Sequence, residues 1–361
     1  MDSKVQPDAI IFEGNYPAWP WITRDQNGRL LCSFREDMVT DRKDSAHGFS
    51  PLARSLLTIS LDNGNTWSDP TVIVDNDQSD DCCPAITVLS DNTLLASYYS
   101  RFYRSEKYCS QARVIKSTDN GTTWGYSINL SDEDTRVRCA PILMSNGDIL
   151  VPIYRSMYSE LGHVPMSSIS TDNGETWKVD YLQNAPSNEL NEWCALEIEP
   201  GKLIGIHRDE GSNYFWKTES SDYGRTWTTP KKTNIKLQNS PSPPTLNLHR
   251  GKVVLTYSDI RMKSVSMITT SDNSYLNWDV DNKKQCYFYR KDFKSITDAS
   301  YPCSVYISSS QRFIVDYEIE SKISPSPDAK LAYKLEKERK QITGYLVTVP
   351  RDWLSHSNVS K

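Results

Sequence analysis

The sequence predicts an all-β chain folded as a six-bladed β-propeller, and three observations lead there. A polar phrase ending in tryptophan recurs as SLDNGNTW (residues 60–67), STDNGTTW (117–124), STDNGETW (170–177) and SSDYGRTW (220–227), with a stretched fifth copy, TSDNSYLNW (270–278). Its starts lie 57, 53, 50 and 50 residues apart, a period that marks stacked supersecondary units. The third observation is composition: 361 residues with 37% hydrophobic content, 20 Tyr, 10 Trp and 19 Pro suit many short strands joined by turns.

Each phrase sits between strand-like runs, for example MSSIS before and WKVDYL after the third copy, and so reads as a hairpin loop. Asp and Asn oxygens accept turn N–H groups, Gly supplies φ > 0 and Trp packs back under the loop. This staple role uses every chemical feature of the phrase, so metal or substrate binding by these loops is not expected.

A second register runs ahead of the phrases. WITRDQNGRLLCSFR, AITVLSDNTLLASYYSR, PILMSNGDILVPIYR, ALEIEPGKLIGIHR, TLNLHRGKVVLTYSDIR and SVYISSSQRFIVDYE are six hairpins of two apolar strands each. At about four strands per unit they make six blades of one closed domain over residues 1–361. The segment PDAKLAYKLEKERKQ interrupts the pattern with an expected short helix near 327–340, after which ITGYLVTVP returns to complete the last blade or to close the ring with the N-terminal AIIF.

The remaining bulk properties exclude several classes. A net charge of −5 offers no general attraction to nucleic acid or to anionic membranes. No stretch approaches the roughly 20 apolar residues of a membrane span, and MDSKVQPDAIIFEG lacks the apolar run of a secretion signal, so the expectation is a cytoplasmic chain or one without its leader. Eight cysteines show no zinc-like spacing and read as small buried hydrophobes, with one or two disulfides left open. Neither metal nor cofactor is expected.

Chemistry enters with arginine. The returning strand of the hairpin ends on Arg35, Arg101, Arg155, Arg208 and Arg261 in five of the six units, positions that meet around a propeller axis. Guanidinium groups there bind carboxylate or sulfate by a bidentate fork, unless each is occupied by a neighbouring blade's Asp or Glu. Loops ahead of the hairpins add Glu192 (NEWCALEI), Tyr301 (DASYPCSVYI) and the first-blade group Asp41, Asp44 and His47 (TDRKDSAHG), while Glu318 ends the sixth hairpin. Carboxylates, a tyrosine and arginines in one concavity compose a glycosidase-like site. Trp19 and Trp21 suggest an apolar wall for a sugar ring.

The phrase S-x-D-x-G-x-x-W resembles the Asp-box of the sialidase superfamily, and the resemblance covers nearly the whole chain. It implies a six-bladed propeller that acts on glycans without a cofactor. NEWCALEIEPGKLIGIHR is similar to the family's fourth-blade segment, which makes Glu192 and Arg208 counterparts of its Glu and Arg; LTYSDIR offers Arg261, SYPCSVYI offers Tyr301, VDYE offers Glu318, and RKDSAHG offers Asp44 as acid/base. The implied reaction is retaining hydrolysis of a terminal sialic acid or related acidic sugar, with Tyr301 as nucleophile. One departure stands out: where the family has an R-I-P-like motif this chain reads YPAWPWITR, with Ala18 in the arginine's place and Arg24 too far along the strand. Arg35 is the candidate substitute. The departure keeps open a glycosidase or lyase acting on another acidic or deoxy sugar, and a noncatalytic glycan-binding propeller.

Overall fold

The computed structural model describes residues 6–38, 49–104, 107–155, 162–182, 189–238, 242–249, 251–260, 264–270, 272–288, 296–320 and 339–350. They form six antiparallel sheets, one for each predicted unit, arranged as a six-bladed β-propeller. Blade 1, for instance, runs from the inner strand Pro17–Arg24 through Leu30–Asp37 and Ala53–Ser60 to Thr71–Val74 at the rim. The inner hairpins turn as their Gly and Asn residues require, with positive φ at Gly28, Asn92, Gly147, Gly201 and Gly251.

Ring closure joins the two ends of the chain. The strand Ala9–Glu13 pairs with Arg339–Thr348 in the register Ala9↔Gly344 to Glu13↔Gln341, which makes it the outer strand of blade 6. Both alternatives for ITGYLVTVP are therefore realised together. The helix expected near 327–340 lies mostly outside the described residues, and Arg339 and Lys340 open the strand.

The repeated phrase joins the third and fourth strands of its blade. In the first copy Asp62 Oδ1 accepts from Thr66 N and Ser60 Oγ, each at 2.8 Å, and Oδ2 accepts from Thr66 Oγ1 at 2.7 Å. Ser60 Oγ accepts from Gly64 N at 2.8 Å, and Trp67 Nε1 donates to Gly64 O at 3.1 Å. These bonds lower the Asp62 and Asp119 carboxyls to about 2. In the stretched copy Tyr275 takes the glycine's place at φ 54°, and Trp278 Nε1 donates to its carbonyl.

The glycine has a second duty that the turn alone does not reveal. A Cβ at Gly64 would lie 2.4 Å from the Phe313 ring of blade 6; at Gly121 it would lie 2.5 Å from Leu57 of blade 1, and at Gly224 2.1 Å from Leu150 of blade 3. Each loop thus presses its backbone against the preceding blade. Gly64→Ala should cost about 3 kcal/mol, combining overpacking against a buried ring with left-handed strain at φ 95°. Gly147→Ala, at φ 90° with nothing within 4 Å, should cost only about 1 kcal/mol. Chemical denaturation of the two variants checks the difference.

Candidate active site

The site forms where the inner strands begin. Proline removes a ladder donor, and Pro20, Pro84, Pro141 and Pro302 all fall near the start of an inner strand. Register shifts follow between Ala18 and Trp21 and between Cys82 and Ala85; in blades 3 and 6 the strand is interrupted outright. Trp19 (φ 55°), Cys83 (φ 51°) and Ser300 (φ 85°) adopt left-handed backbone beside these breaks. Such bulges re-aim side chains, here toward the axis.

The predicted arginines share one layer at this end. Arg35 pairs in register with Ala18, Arg101 with Asp80, and Arg155 with Thr135, while Arg208 adjoins the Leu190↔Asp209 pair. Their side chains then diverge. Arg35 is wholly buried, with Nε and Nη2 bonded to the Asp80 carboxylate of the next blade at 2.8 and 3.1 Å. Arg101 bonds the same carboxylate. Arg155 turns outward, pairing with Glu133 at 2.8 Å and covering the Tyr181 ring on its blade's outer strand. Burial alone would lift the Asp80 carboxyl, but the adjacent guanidinium groups of Arg35 and Arg101 hold it well below the usual carboxylate range.

A second cluster unites the predicted centre. Tyr301 Oη donates to Glu192 Oε2 at 3.2 Å, and Arg208 Nη1 donates to both Glu192 Oε2 and Tyr301 Oη, the latter at 3.3 Å. Arg208 Nη2 reaches Glu210 at 2.8 Å. Glu192 and Arg208 arrive together because their neighbours Trp193 and His207 pair across the hairpin and stack at 4.8 Å. Trp193 Nε1 anchors the stack to Ile153 O of blade 3 at 2.9 Å. Burial pushes the His207 ring down to about 3, so it packs as a neutral plate.

Trp19 links the two clusters. Its ring lies under the Arg35 and Arg101 guanidinium groups, at 5.2 and 5.9 Å, and 6.3 Å from the Tyr301 ring. It is only 5% exposed, a bridge rather than an open wall. The bulge carries Trp21 to the other side, where it lines a cavity of about 400 Å³ with Cys139, Cys194, Leu246 and Tyr306. The two tryptophans therefore face different spaces, and the single apolar wall expected of them is not formed by the pair. Arg24 lies at that far end, over the Tyr306 ring. Glu318 is buried within blade 6, accepting from Tyr345 Oη at 3.0 Å and Gln341 Nε2 at 3.4 Å. Asp44, Arg261, Asp41 and His47 lie outside the described residues.

Asp80 and Arg138 were not among the sequence candidates. A signal was present: DDCCPAI and RVRCAPIL open units 2 and 3 with polar residues ahead of a proline, as SYPCSVYI opens unit 6. Among the described residues no group of three or more His, Cys, Asp or Glu side chains is arranged to hold a metal, and no helix is long and apolar enough to cross a membrane. All eight cysteines are free and seven are buried.

Fold, repeats and axial cluster together define a sialidase-like Asp-box propeller. The chain belongs to the BNR repeat-like domain family, whose model matches residues 54–309. Over 196 residues it is 28% identical to a sialidase from Paraclostridium sordellii, a match that takes in 46% of this chain and about half, 48%, of that protein. A Dyadobacter fermentans protein of unknown function has the same architecture at TM-score 0.75 and 19% identity, over 96% of this chain and 99% of that one. The Hadza microbial sialidase Hz136 follows at TM-score 0.67 and 16% identity, over 93% and 66%. At these identities the structural likeness speaks to the fold.

Replacing Asp80 tests the ionic layer. Asp80→Asn removes the anion that two buried guanidinium groups share, with Asp37 remaining 3.6 Å from Arg35, and should cost about 3 kcal/mol at neutral pH. The folded pKa of Asp80 is depressed, so its contribution is present above the unfolded value of about 4 and is lost as pH falls below it. His207 acts in the same direction from about pH 6.5 downward, because the unfolded ring protonates and the buried one stays neutral to about 3. Denaturation across this range should show a flatter acid limb for Asp80→Asn than for the parent.

Proposed function

We propose that the protein is a sialidase-like exo-glycosidase that removes a terminal sialic acid, or a related acidic sugar, from glycans with retention of anomeric configuration. The carrying observation is the bond from Tyr301 Oη to Glu192 Oε2, with Arg208 fixed against both. In the first half-reaction Glu192 takes the phenolic proton and Tyr301 Oη bonds to the anomeric carbon as the glycosidic C–O bond breaks. Asp44 protonates the departing oxygen. In the second half Asp44 takes a proton from water, the water oxygen bonds to the anomeric carbon, and the electron pair of the breaking C–O(Tyr301) bond is protonated from Glu192. A tyrosine suits an anomeric centre beside a carboxylate because it attacks neutral until its proton leaves.

Arg208 and Arg261 are the proposed carboxylate ligands. Arg35 is engaged by Asp80 and enclosed, which favours a weaker clamp and keeps a second reading in play: an enzyme acting on another acidic sugar. Release of fluorophore from 4-methylumbelliferyl N-acetylneuraminic acid tests the first reading. The parent should turn it over and Tyr301→Phe should lose about 1,000-fold or more. Turnover of a uronide by the parent, with none of the sialoside, would overturn the sialic-acid assignment in favour of the second reading.

A further inference from the structure

Beneath Tyr301 lies a cation for which the fold has no evident need. Arg138, just ahead of Pro141 in blade 3, is 2% exposed. Its Nη2 reaches across the axis to the carbonyls of Pro20 in blade 1, at 3.1 Å, and of Tyr301 in blade 6, at 3.3 Å. The guanidinium carbon sits 5.2 Å from the centroid of the Tyr301 ring and 5.5 Å from that of Trp21. Nε and Nη1 have no hydrogen-bond partner, and no carboxylate pairs with Arg138 among the described residues. A buried cation left in this state opposes folding.

The groups facing Tyr301 show where that charge acts. Glu192 and Arg208 bond its hydroxyl, Asp316 accepts from its amide at 2.9 Å, and the Tyr317 ring meets it edge-on at 6.0 Å. Tyr154 lies within electrostatic reach. The thiols of Cys83 and Cys303, near Arg138, are pushed by burial to about 12 and about 11, so neither supplies an anion at neutral pH. Arg208 already has Glu192 and Glu210. Arg138 is thus the cation against this ring without a paired carboxylate of its own.

We infer that Arg138 is a positioning residue for the proposed reaction: a fixed positive charge under Tyr301 that favours its phenolate and ties its backbone to the floor of the site. The inference rests on the sialidase-like reading. When Glu192 draws the phenolic proton, negative charge grows on a ring whose face already meets a cation. When the glycosyl bond to Tyr301 breaks, the same charge makes the phenolate a better leaving group. The buried charge therefore opposes folding and serves the two steps in which Tyr301 gains electrons.

The test reads Tyr301 itself, without substrate. Isotope-labelled tyrosine NMR, assigned with Tyr301→Phe, follows its titration in the parent, Arg138→Met and Arg138→Lys. Arg138→Met should raise the Tyr301 pKa by about 1 to 3 units, while Arg138→Lys stays near the parent. Thermal unfolding should find Arg138→Met as stable as the parent or more so, with turnover reduced about 10-fold or more. An unmoved Tyr301 titration in folded Arg138→Met, or an Arg138→Lys protein that behaves like the methionine variant, would overturn the inference. A shifted titration in a protein that never cleaves sialosides would retire the sialic-acid reading and leave the role of Arg138 standing.

Discussion

The structure depends on ring closure. A propeller blade buries its faces only against its neighbours, so the first and last blades must meet before any of them is complete. The N-terminal strand Ala9–Glu13 does this by joining blade 6, and Gly64 of blade 1 then seats on Phe313 of the same blade. The site inherits that dependence. Tyr301 belongs to blade 6, Trp19 to blade 1, Arg138 to blade 3 and Glu192 to blade 4, and their contacts exist only in the closed ring.

Charge at the axis is organised in pairs. Asp80 absorbs the two arginines of the early blades, and Glu192 with Glu210 absorbs Arg208. The recurring arginine register therefore builds an ionic layer that also pins blades together, and it is not a bare cationic bowl. Two departures from pairing remain: Arg208 keeps a donor against Tyr301 Oη, and Arg138 lies below the ring with no paired carboxylate among the described residues.

Local chemistry made much of this legible in the sequence. The Asp-box could be read because its hydrogen bonds close within five residues, and five of the six hairpins because their turns use Gly or Asn. Glu192 and Arg208 could be paired because one hairpin carries both. What escaped was non-local. Arg35 finds its partner 45 residues on in the next blade, and Arg138 reaches 163 residues to the Tyr301 carbonyl. The bulge at Trp19 and Pro20 sends Trp19 to the site and Trp21 to the opposite cavity, a separation that strand alternation alone does not predict.

The central claim is that Tyr301, activated by Glu192, bonds covalently to the sugar. Incubation with a 3-fluoro-sialosyl fluoride, which slows breakdown of a glycosyl-enzyme, followed by peptide mass spectrometry, tests it most directly. The account predicts a single sialosyl adduct on Tyr301, formed by the parent and absent in Glu192→Gln. Turnover of a sialoside without any adduct, or an adduct on another residue, would contradict it.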